Sequence, residues 1–329
     1  MADTPNASLA TPHAVALHLA AKWMSEKYYR TFRLFEESGA FDAVLQQRDR
    51  RVGVTIGALW EETGPVEGAD VLGELLTADM RADDAIEDGA YAVWVPPKAP
   101  LPTTEPQVSN LRDTLARSLG GLAEGEQREV RLPLTLGLAK LSDEGAYVSV
   151  TGGLAPEWTT MSDNIGGSYH LDSRALYRLP EERAEIDLLI SRVRDRAAML
   201  QPGEVTDVQI NDTWTLSRLP ASAPAGVTVM TSPPPVDPLD GTIVRRMLRR
   251  HVQRAVVQLE AARAAGQQID LAALVLVGAL AHLKDELATA ALRGMNPTAY
   301  GSVDLIAIVA DAGVRQVLQP RSLPWESAR

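Results

Sequence analysis

The spacing of apolar positions changes at about residue 40, and the change separates a helix from two strands. From Thr11 towards Gly39 the pattern is helical. On a wheel of about 100° per residue, His18, Lys22, Ser25, Glu26, Arg30 and Arg33 gather in one wedge. Trp23, Met24, Tyr28, Thr31, Phe32, Leu34 and Phe35 cover much of the remainder. Thr11 is a natural cap, Pro12 suits the first turn, and Gly39 follows the expected end. So wide an apolar surface predicts a helix covered on most sides. The stretch from Phe41 to Glu62 then reads as two strands joined by a charged turn. Its second run, Val52 to Trp60, is apolar on both alternating faces, as a central strand requires.

Further along, the pattern predicts a helix at 70–86 and a short strand from Tyr91 to Val95. Pro96, Pro97, Pro100, Pro102 and Pro106 mark a linker. A helix at 107–119 opens a β-rich middle with strands at 128–139 and 146–152, a polar loop containing Gly166 and Gly167, and a helix at 180–200. A hairpin follows, Val205 to Ile210 and Thr213 to Leu219, turning at Asn211-Asp212. A second Pro-rich stretch runs from Pro220 to Pro238. The remainder alternates: helix 239–265, strand 272–278, helix 281–293, strands 303–309 and 314–318.

Strands separated by helices imply parallel crossovers, so the fold class expected is α/β. The sheet is expected to be mixed and flanked by helices, with a β-rich region inserted in its middle. Residues 1–95 and 239–329 would form the sheet-centred core, and 96–238 the insertion with Pro-rich linkers at both ends.

Composition narrows the class. The 329 residues are 45% hydrophobic and 23% charged, as in soluble globular proteins. No apolar run approaches the ~18 residues of a membrane span, and no basic segment precedes an apolar one at the N-terminus. There is no cysteine, hence no disulfide, zinc ribbon or thiol nucleophile. A cytoplasmic bacterial protein without membrane contact is expected. The net charge of −11 is uneven: residues 61–88 hold ten acids against Arg81 alone, which supplies −9 and leaves −2 for everything else. A nearly neutral body with an acidic lobe is not barred from nucleic acid, and the lobe itself offers a surface for a protein partner or a second copy.

The helix before residue 40, the two strands after it and Asp42 inside the first apolar run resemble the start of the restriction-endonuclease-like nucleases. The helix near 239–265, followed by the apolar strand at Leu274 to Val277, resembles the later helix and strand of that core. In that superfamily an Asp on one strand and a Glu-x-Lys on the next bind a divalent metal and the attacking water. Thr55-Ile56-Gly57 stands here where Glu-x-Lys is expected, so the resemblance implies the scaffold while the residues argue against the reaction. Metal-dependent phosphodiester cleavage needs hard oxygen ligands, and Asp42, Glu26 and Glu61 are the candidates, with Asp42 as the retained metal ligand. The bland alternatives are a helical pair of Glu26 with Lys22 or Arg30, and Glu61 simply opening the acidic lobe.

The helix at 239–265 carries Arg245, Arg246, Arg249, Arg250 and Arg254 on one half of its wheel, and Val244, Met247, Leu248, Val252, Ala255 and Leu259 on the other. Guanidiniums on one ridge suit phosphates, though a merely solvated face has the same pattern. His170 and Asp172 follow Gly166-Gly167-Ser168 in the expected loop, without a nucleophile-elbow pattern around them. The function expected is a non-catalytic nuclease-like scaffold, without a cofactor, acting in DNA processing, repair or defence through nucleic-acid or protein binding. The alternatives are an Mg²⁺-dependent nuclease with relocated carboxylates, and a protein-interaction module working through the acidic lobe.

Overall fold

A computed structural model describes residues 11–35, 39–59, 68–82, 89–95, 101–102, 104–151, 165–173, 183–231, 241–277, 285–310, 312–318, 320, 323 and 325. In chain order the elements begin with α1 (Pro12–Tyr28), β1 (Arg33–Phe35), β2 (Ala43–Gln47), β3 (Arg50–Ala58), α2 (Ala69–Ala82) and β4 (Ala90–Trp94). The middle contains α3 (Gln107–Leu119), β5 (Gln127–Ser142), β6 (Ala146–Thr151), β7 (Gly167–Asp172), α4 (Arg183–Met199), β8 (Val205–Arg218) and β9 (Gly226–Met230). The chain continues with α5 (Gly241–Ala264), β10 (Leu271–Val277), α6 (Asp285–Arg293), β11 (Leu305–Ala310) and β12 (Gly313–Leu318).

The strands form two mixed sheets of six, flanked by helices, so the α/β class read from the sequence is correct. The first sheet runs β1-β2-β3-β10-β11-β12. Its first three strands are antiparallel, β3, β10 and β11 are parallel, and β12 returns antiparallel. The crossover from β3 reaches β10 through α5, while the second sheet occupies the chain between. Val54, Ile56, Val275 and Val277 are all buried, and Val54 pairs with Ala273 as Ile56 pairs with Val275. Both faces of this sheet are covered, which explains the unbroken apolar runs. Val52, Val54, Ala273 and Val275 pack beneath α1, whereas Leu274, Leu276, Ile306 and Ile308 pack beneath α5 and α6.

The second sheet runs β6-β7-β5-β8-β4-β9. Inward positions alternate along β5 (Val130, Leu132, Leu134, Leu136, Leu138) and meet Leu115 and Leu119 of α3, then Leu189 and Val193 of α4. The outward positions of β5 are mostly exposed, the signature of a sheet with one wet face.

Several boundaries differ from the sequence reading, each for a local reason. The first helix starts at Pro12 with Thr11 Oγ1 accepting the Ala14 N–H, as expected, but ends at Tyr28, well before Gly39. Tyr29 turns left-handed, its N–H donates to Glu26 O and that of Arg30 to Ser25 O. The apolar residues read as continuing the helix face, Leu34 and Phe35, instead enter the edge strand β1. The expected hairpin at Asn211-Asp212 is one continuous strand, β8, paired with β5 throughout. Buried Asp212 accepts from the Thr213 N–H and from Trp214 Nε1, so its side chain is satisfied without a turn. β4 pairs with β8 and β9, placing it in the second sheet rather than in the unit expected to end at residue 95. α2 packs there as well, against Val227 and Val229. The loop expected around His170 is the strand β7. The two sheets are joined, since Ala90, Ala92 and Trp94 of β4 share a core cluster with α1 and β3.

Candidate functional site

Asp42 immediately precedes β2, where the antiparallel ladder with β3 ends at Ala43 opposite Val54. Beyond that rung, Ile56 has no β2 residue to receive its outward backbone groups. Two side chains stand in for the strand. The Ile56 N–H donates to Asp42 Oδ2 at 2.7 Å, and Ile56 O accepts from Arg254 Nη1 at 3.0 Å. The pair closes on itself, because Arg254 Nη2 donates to Asp42 Oδ1 at 2.5 Å. Gln258, one turn further along α5, donates from Nε2 to the same Asp42 oxygen at 3.3 Å and accepts from Thr55 Oγ1 at 2.5 Å. Thr55 is fully buried, while the side chains of Asp42 and Arg254 are 24% and 44% exposed.

One turn earlier on α5, His251 lies over Gly57. A Cβ on Gly57 would fall 2.6 Å from His251 Cε1 and 2.7 Å from Cγ, so only glycine fits beneath the ring. His251 Nε2 is 2.5 Å from Ala58 O; a carbonyl only accepts, so this nitrogen carries the proton. His251, Arg254 and Gln258 therefore form one stripe at i, i+3 and i+7 that locks α5 onto the end of β3.

Of the proposed carboxylate partners, Glu26 sits on α1, across the sheet from Asp42, and its nearest cation is Lys22 at 3.9 Å. The structure does not bring it to Asp42, because Asp42 faces α5 while the neighbouring Ala43 faces α1. Glu61 is among seven of the lobe's ten acids that lie outside the described residues. Within the part described, Asp79 is bound in bidentate fashion by Arg112, so this acid is committed to the contact between α2 and α3. Among the described residues, no three His, Asp or Glu side chains gather as a metal site would require.

The arginines of α5 divide into two sets. Arg254 turns inward to Asp42, a role the wheel assigned instead to the solvent ridge. Arg245, Arg246, Arg249 and Arg250 are exposed, opposite the buried Val244, Met247, Leu248, Val252 and Ala255. Arg245 lies against the end of α6, with Nη2 3.4 Å from where a Cβ on Gly294 would stand. Arg249 and Arg250 make no ion pair with a described carboxylate. The signal for the inward set was present in the sequence: His251, Arg254 and Gln258 are polar residues at helical spacing that flank the apolar face. The sequence does not say which side of that boundary they join.

His170 is tied to the neighbouring strand, with Nδ1 3.0 Å from Ser149 Oγ and Nε2 3.3 Å from Thr151 Oγ1. Both ring nitrogens are thus engaged with β6 hydroxyls. No helix among the described residues is long and apolar enough to cross a membrane. Comparison with known proteins finds no matching family model, no matching curated protein and no matching solved structure.

Proposed function

We propose that the chain is a non-catalytic nuclease-like scaffold that binds nucleic acid through the Arg ridge of α5, in DNA processing, repair or defence. The observation that carries the non-catalytic part is the state of Asp42. Both carboxylate oxygens accept from N–H groups of the chain's own Ile56, Arg254 and Gln258. The donor set does not fit a divalent cation, which needs several hard oxygens. One carboxylate is already neutralised by a guanidinium, the hydroxyl of Thr55 is spent on Gln258, and Gly57 is roofed by His251. The order helix, three antiparallel strands, helix, parallel strand around this position supports the scaffold reading.

The binding part rests on four exposed guanidiniums in two rows on the outer face of one long helix, where each can meet a phosphate oxygen. Two assays test the two parts separately. Incubation with DNA and Mg²⁺ or Mn²⁺ should give no cleavage by the wild type; cleavage that is lost in Asp42→Ala overturns the non-catalytic reading. Retention on DNA should fall steeply with salt, with a slope near −0.9 per neutralised phosphate. Replacing Arg246, Arg249 and Arg250 together by Glu should abolish retention while leaving the melting temperature in place. Retention that survives the triple change overturns the ridge as the binding surface.

A further inference from the structure

The second sheet ends at β9, and α2 runs antiparallel along that edge: Gly73 lies over Val227 and Val229, and Thr77 over Gly226 and Val227. Glycine is a poor helix former, yet it stands in the middle of α2 because a Cβ there would fall 2.9 Å from Val227 O. Thr77 closes the contact. Its Oγ1 accepts the Val227 N–H at 2.9 Å and donates to Gly73 O at 2.7 Å. The helix thus covers an edge that would otherwise pair with another chain.

The cover is incomplete. Gly226 N–H donates to Gly89 O and Met230 O accepts the Val95 N–H, so these residues face β4 and, by alternation, Val227 and Val229 face outward. Thr77 takes the Val227 N–H, but no described group accepts that of Val229, a residue only 6% exposed. Buried backbone donors without an acceptor are rare in folded chains. Val229 lines an open groove of about 590 Å³ between β9, α2 and the start of α1. Asp70, Glu74 and Ala78, on successive turns of α2, form one wall, and Pro12 stands on the α1 side. The two acids lie towards the Val229 end, whereas Arg81 lies towards the other. Apart from Arg81, every charged residue from 61 to 88 is an acid, so the stretch that carries this wall favours a cationic ligand.

Spacing narrows the ligand. Asp70 and Glu74 are one turn apart, about 6 Å along the helix axis. Alternate residues of an extended chain repeat every ~6.6–6.8 Å and point to the same side. We infer that the groove binds an extended peptide segment of a partner protein, with basic residues two apart meeting Asp70 and Glu74 and a backbone carbonyl accepting the Val229 N–H. The residue between the two bases turns away from α2, towards the wall that Pro12 provides. A polyamine would satisfy the carboxylates alone and leave the Val229 N–H without an acceptor. The site shares no residue with the ridge of α5, so the two readings stand or fall separately.

The test titrates the full chain against two pentapeptides with blocked ends and a neutral fluorophore, Val-Lys-Val-Lys-Val and Val-Lys-Lys-Val-Val, read by fluorescence anisotropy. They have the same composition and charge and differ only in the spacing of the bases. The alternating peptide should bind at least about fivefold more tightly, because adjacent lysines on an extended chain point to opposite sides and present only one to α2. Asp70→Asn combined with Glu74→Gln should weaken its binding by about tenfold or more. Ala78→Trp, at an exposed position, should fill the groove and weaken binding as much, with an unchanged melting temperature. By NMR, the Val229 amide should exchange with solvent at least about tenfold more slowly once the alternating peptide is bound. Equal affinity for the two peptides reduces the effect to attraction by an acidic surface and overturns the inference. Binding indifferent to Ala78→Trp, unaltered exchange at Val229, or no binding even at low salt does the same. If Ala78→Trp melts lower, the double amide variant and the Val229 amide decide. A dimer seen on sizing the chain alone, and dissolved by Ala78→Trp, assigns the groove to a second copy and overturns the separate peptide.

Discussion

Replacing Asp42 by Ala asks whether that carboxylate is part of the fold or part of an active centre, because the two roles predict stability changes of opposite sign. In the structure Asp42 accepts the Ile56 N–H, a donor inside a nearly buried strand that β2 no longer reaches. Leaving such a donor without a partner costs about 1–3 kcal/mol. The ion pair with Arg254 is half in solvent, at 24% and 44% exposure, so screening holds its share to about 0.5–1 kcal/mol. Together Asp42→Ala should destabilise by about 1.5–4 kcal/mol, a fall in melting temperature of roughly 3–16 °C for a domain of this size. Arg254→Ala should also destabilise, since it breaks the same pair and leaves Ile56 O without its guanidinium. The double variant should cost less than the sum of the two, with a coupling of about 0.5–1 kcal/mol. Thermal unfolding followed by circular dichroism measures all three. A metal-binding carboxylate behaves differently, being held at a cost that its removal relieves. If Asp42→Ala melts at or above the wild-type temperature, the clasp is not structural and the reasoning fails. A rise in wild-type melting temperature on adding millimolar Mg²⁺ that disappears in Asp42→Ala would point to the same failure.

Other expectations are simpler to state. Gly57→Ala should destabilise by about 1–3 kcal/mol through collision with the His251 ring. Its cost should shrink when His251→Ala is present, and equal costs in both backgrounds would mean that the ring does not press on Gly57. His18 is buried on α1, and burial holds its imidazole below the ordinary value of 6.5. The unfolded chain therefore binds the proton more readily, so the stability associated with neutral His18 is complete above about pH 6.5 and declines as pH falls towards the folded-state value. Melting curves at pH 7.5 and 5.5 should show a larger loss for the wild type than for His18→Gln; equal losses would refute this.

The fold was legible where local pattern and tertiary role agree. β3 and β10 are apolar on both faces because both faces are covered, and no other position in an α/β sheet produces that pattern. Thr11-Pro12 gave the start of α1 because capping is a contact within one turn. The end of α1 was less legible, since Tyr28, Phe32 and Phe35 continue a helical spacing by coincidence. What stops the helix is Ser25, whose Oγ donates to Ala21 O and accepts the Phe32 N–H after the chain has turned back. β8 shows the reverse conflict. Asn-Asp is strong turn chemistry in isolation, but a partner strand running from Gln127 to Ser142 supplies continuous pairing and overrides it. The placement of β4 was unreadable for a similar reason: its partners, at 215–218 and 226–230, lie more than a hundred residues away.

The candidate site was legible only by what it lacks. Thr55 and Gly57 in place of Glu and Lys are visible in the sequence, yet those substitutions alone are equally consistent with carboxylates arriving from elsewhere. The groups that fill the space around Asp42, Thr55 and Gly57 come from positions 193 to 212 residues away, beyond the reach of any local pattern. His251 takes the volume beside Gly57, Gln258 takes the hydroxyl of Thr55, and Arg254 takes the charge of Asp42. Each is matched to the residue beneath it in size or in hydrogen bonding, so the helix and the strand end fit as a pair. A side chain longer than glycine at 57 would have to displace His251 and with it the hydrogen bond to Ala58 O. A carboxylate at 55 would face Gln258 Oε1 in place of a hydroxyl donor. A Glu-x-Lys placed at 55–57 would therefore meet a helix face already filled by His251 and Gln258, so both partners of the contact, and not β3 alone, hold the observed arrangement.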